Sequence, residues 1–295
     1  MVFRLRVGGF TLAVRSRRLH PALASPRRLR PFLARAGRDI ALELVEAPVP
    51  APRGELVFES GGIWRVFRHG GGLLYTFRPP PGPGPPARGV LIDEARRRGR
   101  LFLPTSPWSR RPGFALSYPL EELLFQHHAT RRGALVVHAC GIRRSGGAFV
   151  FCGVSGAGKT TTARLWRRHQ PAAYVLSDDR VVLRTDRGRC RAHGTPWHGS
   201  GRHASPASAP VAAVFFLRAA ATSEAIALAP AAAAARLLAR SFLPPWDARA
   251  LAGALAAARR IVGAVPCFEL AFRPDRSAIE AAERALGTVA RRGGR

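Results

Sequence analysis

The sequence predicts an α/β protein in two parts: a β-rich region over residues 1–115 and an α/β domain with a mixed sheet over residues 116–295. Three observations carry that expectation. The first part runs in short apolar stretches punctuated by glycine, the pattern of hairpins. After a proline-rich stretch at 79–88 the pattern changes to alternating strands and helices. Within this second part a strand reached through a tight hairpin leads directly into a glycine loop, and a helix follows.

In the first part, residues 3–7 and 10–14 flank Gly8-Gly9, a two-residue hairpin signal. Residues 56–58, 63–67 and 73–77 are further short strands with glycine between them. Residues 79–88 read as a stiff loop or linker, because proline removes the amide that a helix or a central strand needs. No cluster of reactive side chains precedes this stretch, and the region reads as an accessory or substrate-facing layer.

In the second part, residues 118–128 read as a helix with Leu120, Leu123 and Leu124 on one face. Residues 134–140 and 148–152 are strands joined by a turn at Arg143-Arg144-Ser145-Gly146-Gly147, and residues 161–169 are the helix after the glycine loop. Residues 173–176 form a buried strand ending in Ser177-Asp178-Asp179, and 181–184 and 190–192 flank a hairpin turn at Asp186-Arg187-Gly188. Strands at 211–217, 225–228 and 267–272 and helices at 231–241, 247–262 and 277–291 complete the chain.

The chain has 47 lysine and arginine residues together, and only Lys159 is lysine. That lysine falls in Gly153-Val154-Ser155-Gly156-Ala157-Gly158-Lys159-Thr160, which fits G-x-x-x-x-G-K-[ST] at every fixed position. A phosphate loop needs a compact ammonium on a slim stem, and a planar guanidinium that bonds as a fork does not substitute for it. The glycines let successive backbone N–H groups face phosphate oxygens, and the helix beginning near Lys159 adds its N-terminal dipole. Gly153 through Thr160, with Thr161, are therefore the candidate residues for binding ATP, and the Thr160 hydroxyl is a candidate magnesium ligand.

Asp178-Asp179 follows an apolar strand downstream of this loop, the arrangement in which a carboxylate holds Mg²⁺ directly or through water. Two adjacent acids at a strand end diverge, so one can hold metal while the other accepts a proton; a solvated turn is the structural alternative. His138 is read equally as a hydrogen-bonded core residue and as a catalytic one. Gly194-Thr195-Pro196-Trp197-His198-Gly199 is either a ligand-contacting loop or a structural one.

The formal net charge is +29, with only 18 acidic residues. One reading is compositional drift, since asparagine is absent and arginine replaces lysine almost everywhere. The other is a surface that attracts an acidic partner. The arginines are scattered and form no basic tail, which disfavours nucleic acid as the partner. The four cysteines show no C-x-x-C spacing and suit reduced, buried thiols in the cytoplasm. The N-terminal residues lack a signal-peptide core, and no apolar run approaches the roughly 18 residues that would span a membrane. The absence of asparagine and of a second lysine removes N-K-x-D, the guanine-reading motif of Ras-type GTPases, and no L-S-G-G-Q stretch of an ABC ATPase occurs.

From His138 through the hairpin and the glycine loop to Ser177-Asp178-Asp179, the chain resembles the HPr kinase/phosphorylase family and, more distantly, ATP-dependent phosphoenolpyruvate carboxykinase. The resemblance implies a P-loop kinase core of HPr kinase/PEP carboxykinase type and transfer of the γ-phosphate of Mg-ATP to a hydroxyl, a serine of a protein or peptide acceptor. It implies His138, Lys159 and Asp178 as catalytic residues, with Asp178 the general base, and Asp179 with Thr160 as magnesium ligands. For such a transfer, an arginine from the region of Arg202, or another surface arginine, would clamp the transferred group. The implied acceptor is a peptide precursor or an HPr-like carrier, and oligomerisation is left open. A non-catalytic ATP-binding regulator and a small-molecule P-loop kinase are the alternatives.

Overall fold

The computed structural model describes residues 1–78 and 85–293, with side chains placed up to residue 288. The fold is mixed α/β, built on two large mixed sheets, and the chain divides into two units, Met1–His128 and Ala129–Arg295. The division falls inside a helix, α1 (Leu120–Arg131), thirteen residues beyond the boundary that the change of pattern suggests.

The first unit holds eight strands: β1 (Val2–Val7), β2 (Phe10–Arg15), β3 (Ile40–Val45), β4 (Leu56–Glu59), β5 (Trp64–His69), β6 (Gly72–Phe77), β7 (Arg88–Ile92) and β8 (Arg98–Phe102). They form one sheet in the order β1-β2-β3-β8-β7-β6-β5-β4. β2, β3 and β8 run parallel, and the other neighbours are antiparallel. The Gly8-Gly9 hairpin forms as its signal indicates, with Val7 opposite Phe10. Residues 79–84 of the proline-rich stretch lie outside the described residues; its flanks, Phe77 and Arg88, face each other across β6 and β7. The stretch therefore connects neighbouring strands of one sheet.

The second unit holds β9 (Ala134–Arg144), β10 (Gly147–Cys152), α2 (Lys159–His169), β11 (Tyr174–Ser177), β12 (Arg180–Asp186), β13 (Arg189–His193), β14 (Ser208–Ala219), β15 (Glu224–Ala227), α3 (Pro230–Leu238), α4 (Ala248–Ala264), β16 (Cys267–Phe272) and α5 (Arg276–Gly293). β9 and β14 are long enough to serve two neighbourhoods. β9 pairs with β12 through Ala134–His138 and with β10 through Ala139–Arg144. β14 pairs with β13 near its start and then runs parallel to β10 and β16. The pairings β10–β9–β12–β13–β14–β10 thus close on themselves.

Alternation along β10 explains its uninterrupted apolar sequence. Val150 and Cys152 enter one core with Val214, Ala254 and Ile261, while Phe149 and Phe151 enter another with Trp166, Phe215 and Phe268. A strand buried on both faces reads as continuous hydrophobicity. The second core is an aromatic stack, with Phe151 on Phe215 at 5.2 Å, Phe215 on Phe268 at 5.3 Å, and Phe149 edge-on to Trp166 at 5.5 Å. Asp247 starts α4 by accepting from the Ala250 amide at 3.1 Å and is itself held by Arg131 Nε at 2.7 Å. These layers fix the C-terminal end of β10, from which the glycine loop departs.

Candidate functional site

The glycine loop lies between β10 and α2, where the sequence motif puts it. Gly158 caps α2 at φ 97°, and a Cβ there would stand 2.3 Å from the Phe272 ring, so both backbone and space require glycine. Lys159 is buried, and its Nζ donates to the carbonyls of Gly153 at 3.0 Å and Val154 at 2.9 Å. Burial lowers the ammonium's pKa, and the Asp179 carboxylate opposes that shift. Val154, Ser155 and Gly156 are exposed along the outer rim of the loop, Ala157 is half-buried, and Thr160 and Thr161 are half-buried on the first turn of α2.

The two aspartates are held differently. Asp178 is 1% exposed and accepts three backbone amides from one loop: Gly199 at 3.0 Å and His203 at 3.2 Å on Oδ1, and Gly201 at 2.7 Å on Oδ2. It anchors the loop that follows Gly194-Thr195-Pro196-Trp197-His198-Gly199. Asp179 accepts from His138 Nε2 through Oδ1 at 2.9 Å, and its Oδ2 pairs with Arg180. Burial pushes the Asp179 carboxyl up, but the His138 hydrogen bond and the Arg180 and Lys159 charges outweigh it and hold the group below its ordinary value.

His138 sits in β9 beside the loop, and its carbonyl accepts from the Gly153 amide at 3.2 Å. Its amide donates to Arg240 at 2.7 Å, and its ring lies 5.9 Å from Phe242. The Arg180 guanidinium lies over the same Phe242 ring at 4.8 Å. The 240–242 segment therefore runs along β9, bridging Val137 to Ser241.

The loop anchored by Asp178 returns to the glycine loop. Ser200 Oγ is 3.4 Å from Thr160 Oγ1, and a Cβ at Gly201 would meet Asp178 Oδ2 at 2.5 Å and Thr160 Cγ2 at 3.1 Å. Trp197 is buried, whereas Arg202 is exposed and holds φ 56°, an uncommon backbone state for a residue with a side chain. The His203 imidazole is pushed down by burial and by Arg164 and Arg167 of α2, with Asp178 opposing. The surroundings are thus rich in positive charge.

The structure brings His138, Lys159, Thr160, Asp178 and Asp179 into one neighbourhood. Sequence reasoning passed over Arg180, Ser200 and Phe242. Arg180 was legible as the residue completing Ser177-Asp178-Asp179-Arg180; the placement of Phe242, more than a hundred residues from His138, had no local signal. Among the described residues no three His, Cys, Asp or Glu side chains cluster as a metal cage. The hard oxygens of Asp179 and Thr160 nonetheless suit magnesium, which takes one or two carboxylates together with substrate phosphates rather than a dedicated cage.

All four cysteines are free and buried, and burial raises their thiol pKa values, those of Cys190 and Cys267 to about 12. No helix among the described residues is long and apolar enough to cross a membrane.

A search of curated proteins finds no match to the chain. Residues 121–272 match the model of one protein family, a stretch that runs from α1 to β16 and contains every residue of the site above. Because this match covers just over half of the 295 residues, the chain belongs to the family described as SynChlorMet cassette protein ScmC.

Proposed function

We propose that this protein is a cytoplasmic ATP-dependent kinase that transfers the γ-phosphate of Mg-ATP to a hydroxyl, a serine of a protein or peptide acceptor. The observation that carries the reading is the meeting of Lys159 and Thr160, at the start of α2, with the His138–Asp179 pair at 2.9 Å. The resemblance of this stretch to HPr kinases supports the same chemistry, with a P-loop kinase core as the corresponding fold. Four buried, unpaired thiols suit a reducing compartment.

In this reading the loop amides and Lys159 bind the β- and γ-phosphates and neutralise charge that develops during transfer. Thr160 and Asp179 would be the protein oxygens that hold magnesium beside the nucleotide, where it would supply charge neutralisation at the phosphates. The acceptor oxygen bonds to the γ-phosphorus as the bond from that phosphorus to the β,γ-bridging oxygen breaks. ADP leaves with that oxygen. The hydroxyl proton passes to His138, whose ring Asp179 orients through the 2.9 Å hydrogen bond. Arg202 is suited to clamp the transferred group from the loop that Asp178 anchors. This assignment moves the base from Asp178, where the family resemblance puts it, to His138, because Asp178 is 1% exposed with both oxygens held by loop amides, whereas the His138 and Asp179 side chains are 24% and 19% exposed.

The test is binding of a fluorescent ATP analogue together with phosphate release or transfer from γ-labelled ATP. Lys159→Ala should abolish both. Asp179→Asn should retain most nucleotide binding and lose transfer by at least about a hundredfold. Wild-type turnover in Lys159→Ala would sink the proposal. Tight ATP binding with no transfer to any hydroxyl acceptor and no hydrolysis would favour a non-catalytic ATP-binding regulator.

A further inference from the structure

The first unit carries a basic trough whose shape follows from strand register. Arg4, Ala13, Ala41 and Arg98 are opposite one another across β1, β2, β3 and β8. Residues in register share a face, so this row places two small side chains between two long cationic ones. With neighbouring strands about 4.8 Å apart, the two arginine-bearing strands are roughly 14 Å apart. Arg15, Arg17 and Arg38 extend the walls, and the cleft measures about 820 Å³. The opposite face of the same strands is core: Leu5, Leu12, Ile40 and Leu101 are fully buried.

Charge at the trough is not neutralised from within. Elsewhere in this unit arginines find acids, as in Arg18–Glu46, Arg65–Glu59 and Arg68–Glu55. Among the described residues no ion pair or side-chain hydrogen bond engages Arg4, Arg15, Arg17, Arg38 or Arg98, and Arg4 Nε is buried without a hydrogen-bond partner. Glu43 is the one acidic residue in the lining. Five of the thirteen lining residues are unpaired arginines around an alanine floor, against 46 arginines in 295 residues overall, so the charge is locally concentrated here.

We propose that this trough binds an acidic, Asp/Glu-rich segment of a polypeptide partner. Carboxylates match guanidinium forks in pairs, and an extended chain fits a channel of this width. The apolar atoms of Val2, Ala13 and Ala41 suit the stems of peptide side chains. Single-stranded nucleic acid fits less well, because the lining holds no aromatic side chain on which bases could stack. A bilayer is excluded from a concave trough. The inference is independent of phosphoryl transfer.

Fluorescence anisotropy of a short fluorescein-labelled Glu/Ala peptide against the full-length protein tests it. Two charge reversals of equal size separate the trough from the general field of the molecule: Arg15→Glu/Arg98→Glu inside it, and Arg27→Glu/Arg30→Glu on exposed positions outside it. The first pair should weaken binding by about tenfold or more, the second by less than about threefold. A Gln/Ala peptide of equal length should bind weakly to all three proteins. ATP binding and the circular dichroism spectrum should be unchanged in both variants, and Lys159→Ala should bind the peptide normally. Equal loss in both reversal variants would overturn the proposal, as would tighter trough-dependent binding of a labelled oligo-dT than of the acidic peptide.

Discussion

Replacing Asp178 by asparagine distinguishes an anchor from a general base. The carboxylate accepts amides at 3.0, 2.7 and 3.2 Å from Gly199, Gly201 and His203 while 1% exposed. Hydrogen bonds to a charged group each contribute roughly 1.5–3 kcal/mol. Asparagine has almost the same shape but only one acceptor oxygen. If that oxygen keeps Gly199 and His203, its NH₂ group faces the Gly201 N–H; if it turns to Gly201, two donors face the NH₂ group. One charge-assisted bond is lost and two are weakened, while the neutral amide is easier to bury. The net cost is about 2–4 kcal/mol. For a unit of this size that lowers Tm by roughly 5–15 °C. Differential scanning fluorimetry reads the shift, limited proteolysis reads release of the 199–203 loop, and turnover of γ-labelled ATP at low temperature reads activity. The anchor role requires the thermal shift and loop cleavage together. A variant with wild-type Tm and an intact loop but no turnover would refute this reasoning and restore Asp178 as the base.

Three further outcomes are expected. Gly158→Ala combines a methyl 2.3 Å from the Phe272 ring with a left-handed backbone, so it should cost about 2–4 kcal/mol by urea denaturation and abolish binding of a fluorescent ATP analogue; normal binding would contradict the loop geometry. Burial, helped by Arg191 and Arg184, lowers the His193 pKa to about 4. Because that value lies below the unfolded value near 6.5, His193 contributes fully above about pH 6.5 and loses its contribution as pH falls toward 4. The loss is roughly 2 kcal/mol at about pH 5, and His193→Gln should flatten that part of the stability profile measured by urea titration. The four thiols should ignore Ellman's reagent in the folded protein and all react once it is unfolded; a fast-reacting native thiol would contradict their burial.

Much of the second unit was legible because its signals are local. β10, the glycine loop and α2 follow from a run of apolar residues, a fixed motif and a helical pattern, each confined to a few neighbouring residues. The Asp186–Arg189 hairpin was equally plain, since its two turn residues, Arg187 and Gly188, both adopt positive φ. The first unit was less legible. β3, β7 and β8 were missed because arginine, glycine and glutamate interrupt their alternation. They are strands because neighbours complete their pairing, with β3 lying parallel between β2 and β8.

The sequence by itself determined the glycine loop, its single lysine and the paired aspartates, because these depend on residue type and short spacing. It also determined that the charge would be strongly positive and the thiols unpaired. Tertiary structure decided what each aspartate holds. Asp178 and Asp179 are adjacent in the chain, but successive side chains at a strand end point apart, so one meets the 199–203 amides and the other meets His138. Tertiary structure likewise set Phe242 against His138 and aligned Arg4 with Arg98 across four strands. Such relations depend on pairing between distant segments, and sheet register, unlike a motif, is not written in any one of them.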